Sequence, residues 1–117
     1  NMRLGVVGSR DFGDDELVWS TLDWVHATYG ITEIISGGAR GPDRESVRWA
    51  KANNIPVTEH LADWEKHGRA AGYIRNHDIV TDSERILAFW DGVSKGTYHS
   101  ITLARRHKIP RKIIYPL

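Results

Sequence analysis

Short apolar runs alternate with longer amphipathic segments along the chain, and glycine-containing loops separate many of them. Val, Ile and Leu dominate most of the runs, as they do in buried parallel strands. In the first amphipathic segment, Leu17, Val18, Leu22 and Val25 fall on one face at helical spacing. The pattern predicts strands at 4–7, 32–35, 55–58, 85–89 and 112–115.

The segments between these runs predict helices with recognisable ends. Acidic residues at 14–16 lie on the first turn of the first helix, where the helix dipole favours negative charge. Gly30 follows the end of that helix, and Pro42 opens the second one. The predicted helices run from about 14 to 29, 42 to 53, 68 to 82 and 97 to 108.

This alternation predicts an α/β fold, a single Rossmann-like three-layer sandwich. Its five-stranded parallel sheet has the order 3-2-1-4-5 and is flanked by about four helices. In that order the first and fourth strands are neighbours, and ligands bind beyond the carboxyl ends of the strands at such a switch point. The loops after strands one, two and four are therefore expected to carry the function. One domain is expected over residues 2–117, with Asn1 taken as the remnant of a tag.

The composition of the chain excludes several classes of function. The 117 residues include 16 Lys and Arg against 15 Asp and Glu, and a net charge of +1 implies no broad basic field for duplex DNA. The chain has no Cys, which excludes disulfides, cysteine zinc sites and thiol catalysis. No apolar run approaches the ~20 residues of a membrane span. A cytoplasmic protein is expected, without a membrane partner, a cofactor or a metal site.

The loop after the first predicted strand reads Gly8-Ser9-Arg10-Asp11-Phe12. Glycine permits close approach of the backbone to a ligand, Ser9 offers a hydroxyl, and the guanidinium of Arg10 suits phosphate. The loop lacks the full G-x-G-x-x-G pattern of dinucleotide sites. A tight strand-to-helix turn is the alternative interpretation.

The loop after the second predicted strand reads Ser36-Gly37-Gly38-Ala39-Arg40-Gly41-Pro42-Asp43. Three glycines just before a helix favour backbone N–H groups that point at an anion, and the helix N-terminus adds its dipole. The loop is not a P-loop, because it lacks the Gly-Lys-Ser/Thr ending. Asp43 either caps the following helix or contacts the ligand.

The loop after the fourth predicted strand reads Trp90-Asp91-Gly92-Val93-Ser94-Lys95-Gly96-Thr97. Gly96 and Thr97 open a helix and offer N–H groups and a hydroxyl for phosphate. Two glycine-rich loops at strand ends that meet in space predict a shared ligand site.

The segment from 62 to 76 adds three candidates. Trp64 either stacks on a base or covers the edge of the core. Arg75 and Asn76 lie on the third predicted helix, where they either face the site or are solvated.

Taken in order, these residues resemble the SLOG superfamily. This Rossmann-like group includes the LOG phosphoribohydrolases and the DNA-processing protein A domain. The match is to the small stand-alone YspA-like branch, found in bacteria and phages. The resemblance implies a nucleotide-derived ligand held by the second and fourth loops, a site role for Arg75, and a homo-oligomer. It rests on residues 8–12, 36–43, 62–64, 68–72, 75–76, 91–92 and 96–97.

The chain departs from the LOG enzymes at one position. Those enzymes carry Pro-Gly-Gly-x-Gly-Thr-x-x-Glu, and the Glu is needed to cleave the N-glycosidic bond. Alignment on Gly96 and Thr97 places Ser100 where that Glu belongs. Serine offers no carboxylate to activate water, so the resemblance does not extend to the usual LOG hydrolysis. Asp91, His99 and Asp43 are the candidate substitutes.

Three functions stay open at this stage. The first is a binding module that senses or sequesters a nucleotide-like molecule, for example one related to ADP-ribose. The second is an N-glycosidic-bond hydrolase of the phosphoribohydrolase kind, with Arg75 and Asp91 as catalytic candidates. The third, single-stranded nucleic-acid binding, is least favoured by the net charge. The expected ligand-binding residues are Gly8, Ser9, Arg10, Ser36, Gly37, Gly38, Arg40, Gly41, Asp43, Trp64, Arg75, Asn76, Trp90, Asp91, Gly92, Lys95, Gly96 and Thr97.

Overall fold

The computed structural model describes residues 1–117 and contains one sheet of five parallel strands in the order β3-β2-β1-β4-β5. The predicted fold class and strand order are thus confirmed. The strands are β1 (Met2–Gly8), β2 (Ile31–Ser36), β3 (Val57–Glu59), β4 (Arg85–Phe89) and β5 (Arg111–Ile114). The helices are α1 (Asp15–Tyr29), α2 (Pro42–Ala52), α3 (Trp64–His67), α4 (Ala71–Asp82) and α5 (Lys95–Arg106).

Strand β1 lies at the centre of the sheet, and its side chains alternate between two separate hydrophobic cores, one on each face. Val6 belongs to the core that also holds Leu22 of α1 and Trp49 of α2. Val7 belongs to the opposite core, together with Ile79 of α4 and residues of α5. Helices α1 and α2 therefore form one outer layer, while α4 and α5 form the other. None of the helices has the length and apolar character that a membrane span requires.

The third predicted helix, at 68–82, is interrupted near its start. Gly68 has a φ of 55°, a left-handed conformation that ends the short helix α3. A 3₁₀ turn (Gly68–Ala70) follows, and the regular helix α4 begins only at Ala71. Asp63 starts α3 by accepting a hydrogen bond from the backbone N–H of Lys66 at 3.0 Å. The prediction missed this break because it treated Gly68 as a helix start.

Helix α5 begins two residues before its predicted start at Thr97. Ser94 is its N-cap, and its hydroxyl accepts a long 3.5 Å hydrogen bond from the backbone N–H of Thr97. This earlier start matters for the site, because it places Gly96 inside the first turn of the helix.

Two of the three tryptophans on α1 and α2 connect these helices. Trp49 is fully buried, and its indole N–H donates to Asp23 of α1 at 2.8 Å. The indole N–H of Trp19 donates to Glu45 of α2 at 3.0 Å. These two bonds join α1 to α2 across one face of the sheet. Trp24, by contrast, is 60% exposed.

Candidate functional site

A cleft of about 450 Å³ opens at the carboxyl ends of β1 and β4. Its volume falls within the roughly 300–1,000 Å³ typical of small-molecule sites. Gly8 and Phe89 pair at these strand ends, which is the switch point expected from the strand order. The lining comes from the loops after β1, β2 and β4 and from helices α4 and α5.

Two arginines supply positive charge to the cleft, Arg10 from the loop after β1 and Arg75 from α4. The Nη1 of Arg75 donates to the carbonyl oxygen of Gly37 at 3.2 Å, and its Nε donates to the Oδ1 of Asn76 at 3.2 Å. A Cβ on Gly37 would lie only 2.8 Å from that Nη1. Glycine at this position therefore lets the guanidinium rest against the loop.

Asp43 is a buried acid in the cleft wall, with 6% of its surface exposed. Burial raises the pKa of its carboxyl to about 7, although Arg75, the backbone N–H groups of Ala39 and Gly37, and Arg10 oppose the shift. Near neutral pH the carboxyl thus exists in both protonated and ionised forms. It can donate a hydrogen bond in one form and accept one in the other.

The glycine-rich loop after β2 uses some of its own N–H groups. The backbone N–H of Gly38 donates to the Oγ of Ser36 at 3.2 Å, and that of Ala39 donates to the Oδ2 of Asp43 at 3.4 Å. The hydroxyl of Ser36 donates in turn to the backbone oxygen of Asp43 at 3.0 Å. These N–H groups already have partners, so an anion would have to displace those partners to bind them.

Arg40 of the same loop does not line the cleft. Its guanidinium donates to the Oδ1 of Asp11 at 2.9 Å, and both side chains are mostly exposed. Of this loop, only Ala39 and Asp43 line the cleft. The loop is therefore mainly a wall that positions Asp43 and Arg75.

The loop after β4 is organised by Asp91. Its Oδ1 accepts from the backbone N–H groups of Val93 at 2.9 Å and Ser94 at 2.8 Å. These bonds hold the pKa of Asp91 below its usual value, so the carboxylate is ionised at neutral pH. Asp91 lines the cleft as a fixed negative charge rather than as a proton donor.

Ser9 is a buried residue that connects two of the loops around the cleft. It is 1% exposed, and its Oγ accepts from the backbone N–H of Asp91 at 3.1 Å. The same Oγ lies 3.4 Å from the Oγ1 of Thr97 on α5. Ser9 thus fixes the loop after β1 to the loop after β4, and it does so without lining the cleft.

Asn76 and Ser100 complete the wall formed by α4 and α5. The Nδ2 of Asn76 donates to the carbonyl oxygen of Gly96 at 3.3 Å and lies 3.2 Å from the Nδ1 of His99. Ser100 lines the cleft, is 1% exposed, and its hydroxyl has no hydrogen-bond partner. Sequence reasoning treated Ser100 only as the position of a missing Glu. Its place one helical turn after Gly96 was the available signal that it faces the same side.

The two tryptophans among the expected ligand-binding residues, Trp64 and Trp90, lie outside the cleft lining. Trp90 donates its indole N–H to the carbonyl oxygen of Ser94 at 3.0 Å, and its ring stacks on Tyr98 with centroids 5.6 Å apart. Trp64 is 57% exposed on α3. The ring of Trp90 is therefore already engaged within the chain.

The structure brings eight of the expected site residues into the cleft lining and places the others behind or beside it. The eight are Gly8, Arg10, Asp43, Arg75, Asn76, Asp91, Gly96 and Thr97. Residues of the lining that were not among those expected are Val7, Asp11, Ala39, Ile79, Val93, Ser94 and Ser100.

Comparison with known proteins adds two findings. A sequence model of the YspA, cpYpsA-related SLOG family matches residues 2–67 of the chain. The chain is also 39% identical to the Gene 61 protein of Mycobacterium phage D29 over 116 residues, a match that spans 92% of each chain. The resemblance found in the sequence motifs is therefore confirmed.

Proposed function

The chain belongs to the YspA, cpYpsA-related SLOG family, and on that basis we propose that it binds a nucleotide or nucleotide-derived small molecule in the cleft. In this proposal the protein acts as a sensor or sequestering module. The observation that carries it is the convergence of Arg10, Arg75 and the first turn of α5 on one cleft of small-molecule size.

The anionic part of the ligand has two kinds of partner in the cleft. The first N–H groups of an α-helix lack intrahelical acceptors, and α5 presents Gly96 and Thr97 at this end. Because the N–H of Thr97 already donates to the Oγ of Ser94, the N–H of Gly96 is the one left for the ligand. The guanidinium groups of Arg10 and Arg75 suit phosphate oxygens. Together these groups favour a phosphate or pyrophosphate.

Two acidic side chains in the cleft wall offset the positive charge of the arginines. Asp91 is ionised at neutral pH, while the raised pKa of Asp43 leaves part of its population neutral. Carboxyl groups in such a cleft suit the hydroxyls of a sugar, which donate and accept hydrogen bonds. A phosphorylated sugar therefore fits the donor and acceptor set better than inorganic phosphate alone.

A hydrolase is the second candidate, and Asp43 is the observation that favours it. A general acid works best when its pKa lies near the working pH, and the pKa of this buried carboxyl is about 7. In the proposed reaction the C1′–N bond breaks and the leaving base takes the proton of Asp43. Water then supplies hydroxide to C1′ and returns a proton to the carboxylate. Asp43, rather than Asp91, is the suitable donor.

Titration calorimetry with AMP and ADP-ribose tests the binding proposal. We expect Arg75→Ala to weaken binding by about tenfold or more, because a charge-assisted hydrogen bond contributes roughly 1.5–3 kcal/mol. Arg48→Ala is the matched control, since its guanidinium pairs with Glu45 on α2 and neither residue lines the cleft. Equal losses in the two variants, or no binding by the native chain, would contradict the proposal.

Chromatography of the same mixtures separates the two candidates. Released free base that disappears in Asp43→Asn would establish the hydrolase, whereas an intact ligand supports the binding module. A steep fall of oligonucleotide binding with added salt would instead favour the nucleic-acid hypothesis. The homo-oligomer implied by the family resemblance stays a prediction, which sedimentation of the native chain would test.

A further inference from the structure

The apolar part of the cleft contains no flat surface for a base. Four hydrophobic side chains line it, and all are aliphatic: Val7, Ala39, Ile79 and Val93. Nucleobases are commonly held by stacking on aromatic rings, which contributes roughly 1–3 kcal/mol per base in single-stranded nucleic-acid complexes. This lining offers no such contact.

The nearby aromatic rings contact one another or other side chains of the chain. Trp90 stacks on Tyr98, and Tyr73 packs edge-on against His99 with centroids 4.5 Å apart. None of these rings lines the cleft. A base bound with its phosphate in the cleft would therefore meet aliphatic and polar groups.

Ser100 offers a specific contact of another kind. Its hydroxyl is buried and unpartnered, and the residue lines the cleft. A buried hydroxyl without a partner has lost its hydrogen bonds to water, so a ligand that supplies a bond there gains free energy. This hydroxyl can donate a hydrogen bond to a ligand oxygen or accept one from a ligand O–H group.

The spacing along α5 indicates which group that is. Ser100 lies one turn beyond Gly96, a rise of about 5–6 Å along the helix. A phosphate at the start of α5 would carry its attached sugar into the cleft over that distance. A sugar hydroxyl, which both donates and accepts, matches the free hydroxyl of Ser100.

We propose that the cleft recognises the sugar–phosphate part of its ligand, with Ser100 bonding a sugar hydroxyl, and that it does not discriminate between bases. This inference rests on the proposed function and names the ligand class more narrowly. It predicts that ribose 5-phosphate is a sufficient ligand and that the base adds little affinity.

Calorimetric titration with ribose 5-phosphate, AMP, CMP and adenosine tests the specificity. We expect the three phosphorylated compounds to bind within about fivefold of one another and adenosine to bind at least tenfold more weakly, because it lacks the phosphate contacts. A larger preference for AMP over ribose 5-phosphate and CMP would overturn the inference while leaving nucleotide binding intact. No binding by any compound would overturn both proposals.

Ser100→Ala tests the contact itself, and Thr102→Ala is its matched control. Thr102 lies on the same helix and also has a buried, unpartnered hydroxyl, but it does not line the cleft. We expect Ser100→Ala to weaken ribose 5-phosphate binding about three- to tenfold, as for one hydrogen bond. Binding of pyrophosphate, which lacks a sugar, should not change in either variant.

Two further ligands test whether the substitution acts only indirectly. Titration with 2-deoxyribose 5-phosphate and ribitol 5-phosphate, alongside ribose 5-phosphate, shows whether affinity follows the sugar hydroxyls. Differences among these ligands that shrink in Ser100→Ala would support the contact, because two groups that interact show non-additive losses. Equal weakening of every ligand by Ser100→Ala, pyrophosphate included, would overturn it.

Discussion

The loops after β2 and β4 both contain glycines and both lead into a helix, yet they contribute differently to the cleft. In the loop after β2, the N–H groups of Gly38 and Ala39 donate to Ser36 and Asp43 of the same loop region. In the loop after β4, the N–H groups of Val93 and Ser94 also donate to a side chain, that of Asp91, but Gly96 in the first turn of α5 lines the cleft without such a bond. Glycine content thus marks where a backbone can approach a ligand. Neighbouring polar side chains decide whether its N–H groups are free.

The carboxyl group of each loop shows the same contrast. Asp43 is buried and its pKa is raised, whereas Asp91 is exposed to solvent and its pKa is lowered by backbone N–H groups. One loop therefore holds a group that titrates near neutral pH, and the other holds a permanent charge. Substitutions of these two acids, and of one glycine in each loop, test the contrast between the loops.

The largest expected effect is the pH dependence of stability that Asp43 introduces. A folded-state pKa of about 7, above the ordinary 3.8, means that the folded chain binds the extra proton. The stability that this proton gives the folded chain is therefore fully present below the pKa of Asp43 in the unfolded chain. It is lost as the pH rises through 7. From pH 5 to pH 7 the free energy of unfolding should fall by about 2–3 kcal/mol from this group alone.

Urea denaturation of the native chain and Asp43→Asn at pH 5, 6, 7 and 8 measures that effect. Asn keeps the size of the side chain and stays neutral, so the free energy of unfolding of the variant should not show this fall between pH 5 and pH 7. Parallel pH profiles for the two proteins would show that Asp43 does not titrate in this range.

The next effect is steric and concerns one glycine of each loop. Gly41 has a φ of 90°, and a Cβ there would lie 3.0 Å from the backbone oxygen of Arg10. Gly41→Ala should therefore lower the free energy of unfolding by about 2 kcal/mol, from left-handed strain and close contact. Gly96, within α5, has nothing within 4 Å of such a Cβ.

Gly96→Ala is the matched control for this prediction. Alanine inside a helix is roughly 0.5–1 kcal/mol more favourable than glycine, so the substitution should stabilise the chain slightly. Chemical denaturation of both variants gives the comparison. Similar destabilisation by the two alanines would contradict the different roles assigned to the loops.

The smallest expected effect is that of Asp91→Asn. The pKa of Asp91 is lowered in the folded chain, so its carboxylate stabilises the fold at pH values above its pKa in the unfolded chain. This stabilisation is lost as the pH falls below about 4. The variant should be slightly less stable than the native chain at pH 7, and the two should converge at acid pH. Thermal melts at pH 7 and pH 3 measure this difference, and a gap that widens on acidification would contradict the assignment.

Much of the fold was predictable because strong local patterns and general topological rules agree. Buried parallel strands read as short Val- and Ile-rich runs, and right-handed crossovers favour the order that was predicted. The break at Gly68 was missed because a glycine fits both the end of one helix and the loop before another. The position of the cleft, at the carboxyl ends of β1 and β4, could be predicted from the strand order alone, without knowledge of the side chains that line it.

The finer features of the site were not predictable because they depend on contacts between distant segments. The bond from the N–H of Asp91 to Ser9 joins residues 82 positions apart. The engagement of Trp90 by Tyr98, and the free hydroxyl of Ser100, likewise depend on how loops and helices pack. Residue type and spacing identified candidates, and only tertiary packing determines which of them face the cleft.

The pairing of β1 with β4 also has a consequence for how the chain is made. During synthesis from the N-terminus, β1 can pair with β2, and β2 with β3, while the other edge of β1 has no partner. That edge closes only when residues 85–89 have emerged, because Leu4 to Gly8 pair with them. An unpaired apolar strand edge attracts other chains. The newly made chain is therefore expected to be prone to aggregation until β4 has emerged, which is also when the cleft between β1 and β4 can form.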